Sequence, residues 1–226
     1  MPLSELPNVR IVKITQENLS QAQSLLCDAY RDNEFTRYMF NADKNGYEQR
    51  LRGFIHEELL LHFSLSNISV AIALDNRLIG VAMVSRADLP LSMATNWRWR
   101  MGMYSVVGVI YTERLRSYYK TVQESLKDKK HYWISLMGLH HDFQHHGYGY
   151  MLIEAVHNEC EKETNYCGIS IDSIDSQYKH FFKSLGYEKE AQFEIGHLTM
   201  DVLFHARGNK LPPSPDREAI KTAESA

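Results

Sequence analysis

Apolar positions recur along this chain with two different periods, and the switches between them divide it into short elements. Val9 to Ile14 is apolar with basic residues between, as an opening strand would be. From Thr15 to Tyr30, Leu19, Ala22, Leu25, Leu26 and Ala29 stand at helical spacing. Asn18, three places after Thr15, rules out a capping box, while Glu17 suits a first turn. A second helix is expected from about Tyr47 to Phe63, carried by Leu51, Phe54, Ile55, Leu59 and His62. Ile68–Leu74 and Leu78–Val84 predict a hairpin around Asp75-Asn76. From Ser85 to Lys130 the pattern is less regular, containing Pro90, Asn96-Trp97-Arg98-Trp99-Arg100 and a helix expected over Thr112–Lys127. Tyr132–Leu139 reads as a buried strand, Tyr148–Lys162 as a helix and Gly168–Ile171 as a short strand. Ser176–Leu185 predicts an amphipathic helix stopped by Gly186, and Glu188–Ile195 and His197–Leu203 predict the closing strands. Residues 210–226 are Pro-rich and then polar, which predicts a mobile tail.

This order predicts an α/β fold of mixed, α+β character: a single domain over residues 1–209 around one central mixed sheet. Antiparallel hairpins would fill its first half and βαβ crossovers its second. With 226 residues the chain can bury one sizeable core. Its 25 basic and 28 acidic side chains give a net charge of −3, which argues against a nucleic-acid partner. Its longest uncharged apolar run, Leu78 to Val84, is far short of the ~18 residues of a membrane span. The N-terminus shows no secretory pattern, and Cys27, Cys160 and Cys167 form neither a disulfide framework nor a metal spacing. A soluble, cytoplasmic protein is expected. Sequence leaves a homodimer open.

Chemistry concentrates in Leu136–Gly149, LMGLHHDFQHHGYG, where a strand ends, a glycine-containing loop follows and a helix begins at once. Such a turn lets successive backbone N–H groups converge at a helix N-terminus, a setting suited to a phosphate or pyrophosphate. No Gly-Lys-Ser/Thr follows, and the G-x-G-x-x-G pattern is missing, so neither a P-loop nor a dinucleotide fold is indicated.

Gln144-His145-His146-Gly147-Tyr148-Gly149 resembles the Q/R-x-x-G-x-G/A signature of the GNAT acetyltransferase superfamily. Phe181-Phe182-Lys183-Ser184-Leu185-Gly186-Tyr187 resembles that family's second signature, one helix and one strand later. His131–Leu136 bears a weaker likeness to a puromycin-acetyltransferase-like branch. The resemblance implies acetyl-CoA as co-substrate, lying in a V-shaped split between the strand ending near Leu139 and the strand Gly168–Ile171. It implies pantetheine pairing with backbone at Met137, Gly138 and Leu139, and a pyrophosphate on the amides of Gln144, His145, His146, Gly147, Tyr148 and Gly149. Asp175, Tyr178 and Phe182 would flank the distal arm and thioester. The implied acceptor is an amine, of a small molecule by first reading, acylated directly within a ternary complex. A non-catalytic acyl-CoA sensor and a protein-directed acetyltransferase are the rival readings.

Acyl transfer to an alkylammonium requires a proton acceptor, because such a group ionises near pKa ~10.4. The family often places a base on the strand before the phosphate loop. Trp133 and Ser135 stand nearest that position, and His131, on their face, is the nearest group that titrates near neutrality. The simpler reading is that His131 merely lies at the exposed start of the strand. Phe182 stands where many members carry a tyrosine, so Tyr178, one helical turn earlier, is the candidate donor to sulfur.

His140, His141, His145 and His146 form two pairs in one loop; His141 and His145 offer H-x-x-x-H spacing, but no Cys or Glu completes a set. Solvated loop histidines are the simpler reading, and no metal is expected. Trp97-Arg98-Trp99-Arg100 reads as an alternating strand with indoles inward, as a stacking strip for nucleic acid, or as a lining of the acceptor pocket by Trp97, Trp99 and Trp133. Tyr118-Tyr119 falls on a half-buried helix with a charged outer face.

Overall fold

The structure, a computed structural model, describes residues 8–87 and 93–213. Four strands, β1 (Val9–Val12), β2 (Ile68–Leu74), β3 (Arg77–Arg86) and β4 (Tyr132–Leu139), form the first part of the sheet. The remainder is β5 (Gly168–Ser173), β6 (Glu188–Ile195) and β7 (Leu198–Ala206), and the strand order is β1-β2-β3-β4-β5-β7-β6. Among the described residues, the helices are α1 (Leu19–Tyr30), α2 (Glu34–Met39), α3 (Tyr47–Ser64), α4 (Met93–Val106), α5 (Val109–Ser125), α6 (Tyr148–Cys160) and α7 (Ser176–Ser184). The expected Pro90 and the tail beyond residue 213 lie outside the described residues.

Each neighbouring strand pair is antiparallel except β4 and β5, which are parallel. The β2–β3 turn holds Asp75 and Asn76 at φ 48° and 67°. Positive φ at both positions matches the twist of the flanking strands, and Asp and Asn tolerate it best after glycine. Period-2 alternation then sorts side chains to the two faces. Ala71, Ala73, Val81, Met83 and Leu136 pack toward α1, α3 and α5. Val70, Ile72, Ile79, Ala82 and Val84 pack toward α6.

Two short helices are fixed by side-chain caps. Asn33 accepts from the amides of Phe35 and Thr36 at 3.0 and 3.3 Å, and Asp175 from those of Gln177 and Tyr178 at 2.7 and 3.2 Å. Gly186, at φ 85°, ends α7 in the left-handed conformation expected of it.

The structure departs from the sequence reading in the irregular stretch. Trp97–Arg100 belongs to α4 and is not an alternating strand. Trp99 is 5% exposed while Trp97 is 61% exposed, because positions two apart on a helix point to different sides. The short helix α2 has no counterpart in the hydrophobic pattern; its Asn33 cap and the buried Thr36 and Met39 hold it. The next helix begins at Val109, three residues earlier than expected.

Candidate functional site

β4 and β5 pair only at Tyr132–Ile169 and Trp133–Ser170, then part, although β4 continues to Leu139 and β5 to Ser173. Six residues of β4 beyond Trp133 therefore flank an opening about 20 Å long at ~3.3 Å per residue. The split expected on family resemblance is present as a cleft of about 470 Å³, walled by β4, β5, α1, α5, α7 and the loop before α6.

At the mouth, His145 and Gly147 hold φ of 62° and 79°. Gly147 is the N-cap of α6, whose hydrogen-bond ladder opens with the Met151 amide donating to the Gly147 carbonyl at 3.1 Å. The amides of Tyr148 and Gly149 precede that ladder, at the positive end of the helix dipole. Gln144, His145, Gly147 and Gly149 line the cleft. His146 and Tyr148 are not among its lining residues; His146 Nδ1 lies 2.6 Å from the Gln144 carbonyl.

Along the β4 wall run Ser135, Met137, Gly138 and Leu139. The β3 register skips Ser135, since Met83 faces Leu136 and Val84 faces Ile134. That bulge re-aims the backbone beyond it toward the split. The Met137 amide donates to the Tyr30 hydroxyl at 3.1 Å, so a β4 donor does point into the cleft. Ser135 Oγ donates to the Met83 carbonyl at 3.3 Å. Gly138 is demanded by close packing: a Cβ there would stand 2.9 Å from Ala29 Cβ and 3.3 Å from a Leu25 methyl.

From α7, Tyr178, 48% exposed, and the buried Phe182 line the same cleft. Burial raises the Tyr178 phenol above its ordinary value, with Asp175 adding to the effect. Asp175 spends one carboxylate oxygen on the α7 cap and does not line the cleft.

Near the apex of the split the structure assembles residues the sequence reading missed. Asp172 on β5 accepts from the Tyr118 hydroxyl at 2.5 Å and from Trp133 Nε1 at 2.7 Å. Asp172, Tyr118 and Tyr119 line the cleft. Burial pushes the Asp172 carboxyl up, against the lowering by its two donors. Behind Tyr119 is a second such arrangement. Glu58 on α3 accepts from Trp99 Nε1 at 3.0 Å and from the Tyr119 hydroxyl, and burial pushes it up to about 7. Trp99, Tyr119 and Trp133 form a chain, the middle ring centroid lying 6.0 and 5.7 Å from the others.

Two expectations change at this point. His131 is 2% exposed, contacts the Lys129 carbonyl through Nδ1 at 2.7 Å, packs edge-on to Phe204, and does not line the cleft. It precedes β4, and its ring packs against Phe204 of β7, away from the residues that line the cleft. Trp97 faces solvent from α4, and Trp99 and Trp133 act behind the wall through Glu58 and Asp172. In the histidine loop, ligand-capable atoms of His140, His141 and Asp142 lie within 4.8 Å of one another, a grouping that does not use His145. Arg77 Nη2 lies 3.2 Å from His140 Nε2, setting a positive charge beside it.

No family model matches the sequence, and no curated protein does. Solved structures do match its fold. Arylalkylamine N-acetyltransferase 2 from Aedes aegypti is 12% identical, with 88% of this chain and 99% of that one covered at a TM-score of 0.63. An agmatine N-acetyltransferase is 14% identical over 88% and 99%, with a TM-score of 0.60. A GNAT-family acetyltransferase from Desulfovibrio desulfuricans is 10% identical over 88% and 99%, with a TM-score of 0.54. The chain thus has the GNAT fold: a seven-stranded mixed sheet flanked by helices and split between β4 and β5. Among the described residues no helix is long and apolar enough to cross a membrane.

Proposed function

We propose that the protein is an N-acyltransferase that passes an acetyl group from acetyl-CoA to a small primary amine. The observation that carries this reading is the parting of β4 from β5 after two residue pairs, directly beside a helix that opens on a left-handed glycine. An extended arm with amide groups fits between two strands that have stopped pairing, and its pyrophosphate fits the converging amides of the Gln144–Gly149 loop. Backbone groups of Met137, Gly138 and Leu139 serve the arm, and the Met137 amide is the donor nearest the thioester. Ser135, at the bulge, stands beside the reacting centre. Phe182 supplies an apolar wall, and Tyr178 delivers a proton to sulfur.

Loss of a tyrosine at Phe182 does not forbid the reaction. A thiol of pKa ~8.5 leaves as thiolate at neutral pH at a cost of only about 2 kcal/mol. The amine class is supported by solved structures of this fold named for agmatine and arylalkylamine acetylation. An acceptor with an aromatic body, as in the puromycin-like branch, is the finer form of this reading, and the tyrosines of the chamber favour it. Three free cysteines agree with a reducing, cytoplasmic setting.

Calorimetric titration with acetyl-CoA and with CoA tests the reading, wild type against Gly149→Asp. A Cβ at Gly149 meets Phe181 at 3.4 Å, ordinary contact, and a carboxylate in the first turn favours the helix itself. The variant therefore folds but places negative charge in the anion cradle. Saturable binding by wild type, weakened at least about 100-fold in the variant, is expected. Equal binding by both removes the pyrophosphate from this loop. No binding by folded wild type removes the acyltransferase reading.

A further inference from the structure

Asp172 is a carboxylate whose side-chain hydrogen-bond partners, among the described residues, are neutral. Its two oxygens receive one neutral side-chain donor each, from Tyr118 and Trp133, and its own backbone amide adds a further neutral donor. Desolvation and these neutral donors, rather than a neighbouring cation, set its ionisation. It lines the cleft near the apex of the split, two residues past the last β4–β5 pair, on the side where the arm's reactive end would stop. Rings surround it. Tyr118 lies with its centroid 4.7 Å from Phe35, 5.2 Å from Tyr119 and 6.5 Å from Trp133.

A carboxylate enclosed in protein loses much of its hydration, and neutral hydrogen bonds do not replace a cation. A fold keeps such a group at low cost only where it is protonated or where a ligand supplies the charge. The aromatic residues that line the same cleft, Phe35, Tyr118 and Tyr119, favour the same partner, because aromatic faces attract an ammonium and do nothing for a second anion. An open cavity on one side and neutral donors on the other leave a single direction from which that cation can come.

We propose that Asp172 receives the ammonium group of the acceptor and takes its proton. The proposal rests on the acyltransferase reading and adds to it the acceptor's charge state and the group that activates it. One ammonium proton passes to an Asp172 oxygen, and the freed nitrogen lone pair forms a C–N bond at the thioester carbonyl. The C–S bond then breaks with its electron pair going to sulfur. Tyr178 gives its phenolic proton to that sulfur, and the second proton now on nitrogen restores Tyr178, giving amide and free thiol. Asp172 returns its proton to water, so the sum is one ammonium and one thioester converted to one amide, one thiol and one released proton. Burial, which holds the carboxyl above its ordinary range, narrows the gap to the amine and makes the transfer easier. Tyr118 and Trp133 are positioning residues, each fixing one oxygen.

The test compares 2-phenylethylamine, an ammonium at pH 8, with its difluorinated analogue, which is mainly neutral there, on wild type and on Asp172→Asn. For the variant, kcat/KM on the ammonium is expected to fall about 100-fold or more, and on the neutral amine less than about tenfold. Acetyl-CoA affinity is expected to stay within about twofold, which shows both that the variant is folded and that the co-substrate reading stands. Equal losses on the two amines, or no loss on either, overturn the role of Asp172 while leaving the acyltransferase reading intact. A second measurement needs no variant. With CoA bound, wild type should bind 2-phenylethylammonium at least about tenfold more tightly than 2-phenylethanol, which has the same shape and no charge. Equal binding of the two overturns the proposal by itself.

Discussion

Glu58 and Asp172 share a surrounding that sets them apart from the surface carboxylates of the chain: each is held by one tyrosine hydroxyl and one indole N–H. Consecutive residues of α5, Tyr118 and Tyr119, supply the two hydroxyls. Glu58 has a consequence for stability that its place behind Tyr119 makes separable from turnover. Its carboxyl moves from an ordinary 4.5 to about 7, chiefly through burial. The unfolded chain thus gives up this proton near the ordinary value and the folded chain only near neutrality. Folding favours the protonated form, so the stabilising contribution is whole below about pH 4.5 and is lost as pH rises through 7. Glu58→Gln keeps an acceptor for the indole and phenol without the charge. At pH 8 the variant should melt a few degrees above wild type, and at pH 4.5 the difference should vanish. Thermal scans at both pH values decide this, and a constant offset across the range would show that the carboxyl ionises as an ordinary one does.

Among the elements, β4 carries the most constraint. It is a central strand of the sheet, it bulges at Ser135, and α1 presses on it so closely that only glycine fits at residue 138. Gly138→Ala would drive a methyl against Ala29, Leu25 and Leu26, all on one face of α1. An expected loss of about 1–3 kcal/mol, read by urea unfolding, follows from overpacking a filled site. An unchanged midpoint would mean that α1 moves freely on the sheet. The sequence shows this strand plainly as a largely apolar run from Tyr132 to Leu139, and the structure buries and half-buries its positions alternately. β2 and β6 are equally plain, and the Asp75-Asn76 turn follows from residues that tolerate positive φ. α4 was not legible for a physical reason. Four residues, Trp97 to Arg100, alternate apolar and basic as a strand would, and a window that short cannot separate period 2 from period 3.6. The burial of Trp99 rests on Glu58, a residue 41 positions away, which no local pattern reports.

At the scale of the whole molecule, the site divides into a half the sequence displays and a half only the fold assembles. The anion loop and the β4 wall lie in one continuous segment, Ser135–Gly149, and could be read from its glycines. The apex draws on α1, α5, β4 and β5, so Tyr30, Tyr118, Trp133 and Asp172 meet only once the sheet has formed. The same assembly decides the kinetic order of the reaction. A covalent acyl-enzyme needs a nucleophile in the cleft, and cysteine is the side chain best suited to take an acyl group from a thioester. Cys27 and Cys160 do not line the cleft, and burial pushes their thiols up to about 11 and about 12, away from the thiolate. Cys167 is exposed and also lies outside it. Ser135 does line the cleft, with its hydroxyl donating to the Met83 carbonyl and no base paired to it in the described contacts. On the proposed reading, arm and acceptor therefore occupy one continuous cavity together and meet at the apex. Initial rates at several fixed amine concentrations should give intersecting double-reciprocal lines, and alkylation of Cys167 with iodoacetamide should leave turnover unchanged. Parallel lines, or inactivation that acetyl-CoA prevents, would instead reveal a covalent intermediate and transfer the chemistry from Asp172 to a side chain that has yet to reach the cleft.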